Sequence, residues 1–157
     1  MNLHTAVISA LFSITPILEL RGAIPYALAK EAPLIPVFLL CVTLNACVGP
    51  LVYLFLNTIH KLLSHIPLYN RMFQKLVDHS RIRIKSKVEK YGYIGLMLFV
   101  SIPLPITGAY TGTLGAWVLD MDAKKTFIAV GLGVVISGII VSLVSYLGIT
   151  ALFIFIK

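Results

Sequence analysis

Two stretches of this chain, residues 34–56 and 127–156, run for 23 and 30 residues without one charged side chain. About 20 apolar residues in a helix cross the roughly 30 Å hydrocarbon core of a bilayer. In lipid every backbone N–H and C=O must find its partner inside the protein, which confines spanning segments to helices or closed barrels. Uninterrupted runs of this length read as transmembrane helices. The rest of the chain agrees: 59% of its 157 residues are hydrophobic, 12% are charged, and the mean hydropathy is +0.96. A soluble domain holds about 45–50% apolar and about 25% charged residues. The expectation is an integral membrane protein forming a single domain over residues 1–157.

Two further apolar blocks, Thr5–Ala29 and Tyr93–Leu119, are each interrupted in the middle by proline and glycine. Broken and intact blocks therefore alternate. Repeat one covers about residues 1–60, a basic linker about 61–91, and repeat two about 92–157. The interrupted centres align on Gly-Ala: Arg21-Gly22-Ala23-Ile24-Pro25-Tyr26 against Thr107-Gly108-Ala109-Tyr110-Thr111-Gly112, with Pro16 falling near Pro103. The same offset sets the start of the second block against the end of the third, near Asp120. Paired Gly/Pro-interrupted segments in corresponding halves are the best sequence pointer to a transporter's binding site.

Glu19 and Arg21 are the only charges in the first block. An ionisable side chain at membrane depth costs about 2.5–3.5 kcal/mol and normally faces a protein or water-filled interior. Residues i and i+2 lie about 200° apart on a helix, so a straight helix would turn one of the two charges to lipid. A break near Pro16–Pro25 removes the conflict. It leaves two arms of about 11 residues, each about 16 Å long, half of the bilayer core. The third block divides the same way around Pro103–Gly108. The expected fold is an all-α membrane protein of two inverted repeats, each a re-entrant helical hairpin followed by a transmembrane helix, joined by a basic amphipathic linker. The alternative is that all four blocks span. The positive-inside bias favours re-entrant hairpins by two charges, because they put Lys124 and Lys125 on the side of the linker.

Eight of the thirteen Lys and Arg residues lie between Lys61 and Lys90, opposed only by Asp78 and Glu89, and account for much of the net charge of +7. Between hydrophobic blocks such a segment reads as a cytoplasmic loop resting on anionic head groups, not as a nucleic-acid site. Tyr69, Met72, Phe73, Leu76 and Val77 recur there at helical spacing, which predicts a helix lying in the interface plane. No Lys or Arg precedes Arg21, so the positive start of a secretory signal peptide is missing and the first block is expected in the mature protein. Cys41 and Cys47, six residues and about 9 Å apart along a helix, are too far apart for a disulfide and read as packing residues.

Glu19 is the candidate proton-responsive group, since burial and a neighbouring cation act on a carboxyl in opposite directions. Arg21 offers a planar fork of donors suited to phosphate or carboxylate. The two could equally neutralise each other or cap the opposite hairpin and bind nothing. The second break is rich in hydroxyls and glycines: Ser101, Thr107, Thr111 and Thr113 with Gly108, Gly112 and Gly115. Unwound backbone at membrane depth needs partners, and half-helix N-termini favour anions, although the glycines also suit close helix packing. Asn45, followed by Gly49 and Pro50, is expected to hydrogen-bond across helices. Tyr26, Tyr110 and Trp117 could line a path, or, for Trp117, mark the membrane interface. The substrate- or proton-binding candidates are Glu19, Arg21, Gly22, Pro25, Asn45, Pro103, Pro105, Thr107, Gly108, Tyr110 and Thr111. His4, His60, His65 and His79 have no metal-ligand spacing, and Asp120-Met121-Asp122 reads as a helix cap. No nucleophile–base pair, phosphate loop or nucleotide motif appears, so neither an enzyme nor a cofactor is expected.

At Glu19-Leu20-Arg21-Gly22-Ala23-Ile24-Pro25 and Pro103-Leu104-Pro105-Ile106-Thr107-Gly108-Ala109-Tyr110-Thr111-Gly112 the chain resembles the small multidrug export protein family, over nearly its whole length. It is more distantly similar to the DedA (VTT-domain) superfamily of bacterial membrane proteins. That second resemblance implies two facing re-entrant hairpins and proton-linked transport or scrambling of lipids, including polyprenyl phosphate and phospholipids. It also implies functional charges at the hairpin tips, here Glu19 and Arg21. DedA-type second hairpins usually carry arginine, whereas Thr107 and its neighbours carry no charge.

Three functions follow. The first is a small transporter of the bacterial inner membrane, a homodimer, moving an amphipathic or lipid-like substrate between the hairpins, with proton-responsive Glu19 and anion-contacting Arg21. The second is a proton-coupled exporter of cationic compounds, which a fixed positive charge at Arg21 would oppose. The third is a structural membrane protein with a Glu19–Arg21 clamp. Partners are membrane lipids and a small amphipathic substrate.

Overall fold

The computed structural model describes residues 2–60, 67–104 and 107–156, and among them every regular element is a helix. Pro16 sets the first feature. It drives the preceding residue out of the helical region, and Thr15 is accordingly extended, at φ −76° and ψ 138°. Helix α1 (Leu3–Ile14) therefore stops, and α2 (Glu19–Ala29) starts after a short break. The two pack against each other, with the rings of Phe12 and Tyr26 edge to face at 5.3 Å. Helix α3 (Leu34–Asn57) is continuous despite Pro50.

The linker is helical from Pro67, and a kink at Gly92 divides it from the helix that runs on to Ser101. Helix α4 (Pro67–Ser101) bends at Gly92, whose φ of 56° and ψ of −133° are open to glycine alone. Before the bend Phe73 packs on Leu56 and Leu114, and Ile84 is fully buried, while Arg71, Lys75, Arg81, Lys85 and Lys90 are exposed. The side chains of Tyr69, Met72 and Leu76 lie outside the described residues. After a second break comes α5 (Ala109–Val118), then α6 (Ala123–Ile156). A Cβ at Gly112 would meet Val100, and one at Gly115 would meet Ile84, so α5 runs back along α4. Asp122 caps α6, its carboxylate accepting from the Lys125 N–H at 2.9 Å.

Helices α2 and α5 end alike. The Glu31 and Ala32 N–H groups donate to Leu28 and Ala27, and the Asp120 and Met121 N–H groups donate to Trp117 and Ala116. Each closure uses a non-glycine residue at positive φ, Glu31 at 57° and Asp120 at 54°. By these ends the two segments correspond at a constant offset of 89 residues (31 against 120, 32 against 121), which pairs Glu19 with Gly108. The Gly-Ala match of the sequences paired Gly22 with Gly108 instead. Gly22 is inside α2 against Leu18, whereas Gly108 sits in the break, so the letters agree where the backbone roles do not.

The side chains are sorted for lipid. On α1 the exposed residues are His4 near its start and the apolar Leu3, Val7, Leu11 and Ile14, while Thr5, Ser9 and Ser13 are buried. Small and hydroxylated residues inside let helices approach closely where the surroundings are as apolar as leucine. Helix α3 and the Ala123–Gly148 part of α6, with mean hydropathies of 2.1 and 2.7, are long and apolar enough to cross a membrane.

Candidate functional site

The two breaks meet, and each supplies what the other lacks. Glu19 is 4% exposed and opens α2 at φ 48°, a strained value for a residue with a side chain. This backbone puts its carboxylate at the N-terminus of α5, where the Tyr110 N–H lies 3.4 Å from Oε1 and the Ala109 N–H faces the same group. The first N–H groups of a helix have no partners within it and carry its positive dipole end, so a carboxylate there is favoured. Gly108, at φ 140°, makes the approach possible: a Cβ would collide with the Glu19 carboxylate.

Arg21 serves the opposite polarity. Its guanidinium donates to the Leu104 carbonyl and, at 3.1 Å, to the Thr107 hydroxyl, while its Nη2 is 3.9 Å from Glu19 Oε2. The Thr107 hydroxyl in turn lies 2.8 Å from both the Ile102 and Leu104 carbonyls just beyond the end of α4, which also accept the Leu104 and Thr107 N–H groups. A cation thus faces a carbonyl of the second break just past the end of α4, and a carboxylate the N–H end of α5. The Tyr110 hydroxyl returns the contact by donating to the Ile14 carbonyl at the end of α1.

Beside this junction lies a cavity of about 730 Å³. The first break borders it with Pro16, Ile17 and Glu19, and the second break and α5 with Thr107, Tyr110, Thr111 and Leu114. Along α3 its wall is apolar, from Val48 through Leu51, Val52 and Phe55 to Leu56, and Phe73 of α4 closes the linker end. Among the described residues Glu19 is the one charged group on this wall, and Arg21 stands behind it, in contact with Glu19 and Thr107. Ile17 is 90% exposed and Leu51 and Phe55 are exposed as well, so the mouth opens on an apolar surface.

Of the sequence candidates, Glu19, Arg21, Thr107, Gly108, Tyr110 and Thr111 come together. Gly22 and Pro25 lie further along α2, and Pro103 lies in the second break, all three away from the cavity wall. Pro105 lies outside the described residues. Asn45 does bond across helices, its Nδ2 donating to the Ser13 carbonyl at 2.9 Å, one turn from the cavity. Tyr26 packs on Phe12, and Trp117 donates to Asn57 at 3.1 Å near the linker end. Sequence reasoning passed over the α3 wall and Phe73, whose residue types match those facing lipid, and the carbonyls of Leu104 and Ile14, which no side chain announces.

A family model described as Putative small multi-drug export protein matches residues 19–140. Neither a curated protein nor a solved structure matches the chain.

Proposed function

Because the chain belongs to the small multi-drug export protein family, we propose that it exports amphipathic compounds bearing a positive charge, bound in the cavity with the charge on Glu19. The observation that carries this is the composition of the wall: among the described residues it is apolar, with one carboxylate and no cation. Its volume falls within the roughly 300–1,000 Å³ of small-molecule sites. Arg21, which counts against a cationic substrate, is engaged by Leu104, Thr107 and Glu19 and does not line the wall. The apolar mouth supports loading from the bilayer, a feature the lipid-like reading shares.

In this mechanism substrate and proton compete for the Glu19 carboxylate. Either one weakens its hold on the N-terminus of α5 and so loosens the contact between the breaks. We place the breaks at mid-membrane in two re-entrant hairpins related as inverted repeats; the matching ends of α2 and α5 and the basic α4 support this arrangement. The linker is then cytoplasmic, and the exporter works in the inner membrane of a bacterium, with a second copy completing the enclosure. Helix-end capping by Glu19 and Arg21 also favours a second reading, a clamp with no transport role.

Binding of tetraphenylphosphonium to the purified protein tests the proposal. Saturable binding that Glu19→Gln abolishes in a folded protein supports it. Movement of a fluorescent polyprenyl phosphate without cation binding selects the lipid reading, and neither activity selects the clamp. Labelling of cysteines placed at Asn2 and Lys85, in a background lacking Cys41 and Cys47, tests the topology: re-entrant hairpins put these positions on opposite sides of the membrane.

A further inference from the structure

Helix α1 turns Thr5, Ser9 and Ser13, spaced one turn apart, into the protein. Opposite them α3 presents Cys41 and Asn45, also one turn apart, and Asn45 reaches Ser13 through the bond described above. The Ser13 hydroxyl donates to the Ser9 carbonyl at 2.8 Å and faces the Cys41 thiol. Close packing of small residues explains the stripe on α1 but not two further atoms. Ser9 and Asn45 are both 0% exposed, and Ser9 Oγ and Asn45 Oδ1 have no partner among the described residues. Leaving a buried polar group unsatisfied costs about 1–3 kcal/mol. Buried water, bonded to about three polar groups, is the usual remedy where several such groups converge.

The place of this seam gives it a role. On α3 it occupies residues 41 and 45, and the cavity wall begins one turn later at Val48. On α1 it ends at Ser13, just before Pro16 on the same wall. The seam therefore starts where the cavity stops, and runs toward the ends at which α1 and α3 begin, away from Phe73 and the linker. Tyr110, donating to Ile14 beside Ser13 and bonding to Glu19 through its N–H, spans the gap between them. The other charged group facing Glu19 is Arg21, which its carbonyl contacts hold in place.

We infer that Ser9, Ser13, Cys41 and Asn45 form a water-holding seam through which Glu19 exchanges protons with the side of the membrane opposite the cavity. The proton role rests on the exporter reading; the hydration of the seam does not. The substrate then meets Glu19 from the linker side and the proton meets it from the other, the separation that exchange of one for the other requires.

Cys41 is a native reporter. In a Cys47→Ser background in vesicles, infrared spectra after transfer to deuterated buffer follow exchange of its S–H. A hydrated seam exchanges it within minutes, and Asn45→Leu, filling the seam with an apolar side chain, slows this by an order of magnitude. An S–H that persists for hours in the folded protein overturns the inference. The second reading is proton release on tetraphenylphosphonium binding. Asn45→Leu should slow release by about tenfold, the effect of about 1.4 kcal/mol on a barrier, and leave the affinity unchanged. Unchanged release with slowed Cys41 exchange refutes the proton route. Failure of the cation to bind any form removes the exporter reading while the Cys41 exchange still decides whether the seam is wet.

Discussion

The break between α1 and α2 brings two charges to the centre of the molecule, and the break between α4 and α5 brings none. The first works with side chains, Glu19 and Arg21; the second works with backbone, the N–H groups of Ala109 and Tyr110 and the carbonyl of Leu104. Read alone, the uncharged second break looks like a site that has lost its function. Set against the first it is a complement, because Glu19 meets the N–H end of α5 and Arg21 a backbone carbonyl of the break itself. Charge in both breaks would leave each carboxylate facing another side chain instead of a helix end. Asymmetry of chemistry on similar backbones is what lets the two breaks meet.

The sharpest way to break this comparison is at Gly108. Alanine there would have to adopt φ 140° and place its Cβ in the Glu19 carboxylate. A destabilisation of about 3 kcal/mol or more is expected, from backbone strain and lost contact together. Thermal unfolding in detergent would show it, or failure of the variant to accumulate. Gly22→Ala, facing only Leu18 from within α2, should be much milder, separating the two glycines that sequence alignment paired.

Next come the charges. Arg21→Ala leaves Glu19 buried without its counter-ion and uncaps the Leu104 carbonyl, which should cost about 2–3 kcal/mol. Glu19→Gln keeps an acceptor for the α5 N–H groups and should cost about 1 kcal/mol, while removing cation binding altogether. Stability and tetraphenylphosphonium binding, measured on both variants, would thus fall in opposite orders. Parallel falls in both would mean that the pair acts only as a clamp.

Tyr110→Phe removes the hydrogen bond by which, among the described residues, the start of α5 holds the carbonyl end of α1. The loss should be about 1 kcal/mol, readable as a shift in melting temperature, with cation binding retained because the N–H facing Glu19 is untouched.

Much of this arrangement is legible in the sequence because it follows from strong local rules. Pro16 fixes the end of α1, charge-free runs delimit α3 and α6, and two charges in an apolar block mark where an interior must be. Asn45 announces itself in the same way, as an amide that cannot face lipid. What sequence hides is anything made of backbone or of ordinary apolar residues. The carbonyl that Arg21 finds belongs to Leu104, and nothing about a leucine signals it. Val48, Val52 and Leu56 line the cavity while Leu54 on the same helix is exposed, and hydropathy cannot separate them. Gly92 reads as an ordinary glycine before the third block, yet its non-helical backbone makes the kink at which the linker helix and the half-helix of that block meet. The Gly-Ala alignment failed for a related reason: it matched residue types, whereas the two segments correspond through helix ends, which are patterns of backbone bonds.

Those helix ends supply the mildest test. Glu31 and Asp120 occupy equivalent positions after α2 and α5, each at a positive φ that glycine adopts without cost and other residues adopt with strain. Both closures use the same two N–H donors, so the backbone conformation is set by the helix end and not by the side chain. Glu31→Gly and Asp120→Gly should therefore each preserve the structure and change stability by less than about 1 kcal/mol, relief of strain being partly offset by the greater freedom of glycine in the unfolded chain. Melting temperatures of the two single variants would measure this. Similar shifts of the same sign would mean that the two halves share a backbone solution beneath their different chemistry. A large loss at one position only would show that one of these carboxylates has a task of its own, and the correspondence at an offset of 89 residues would then hold for geometry without holding for energy.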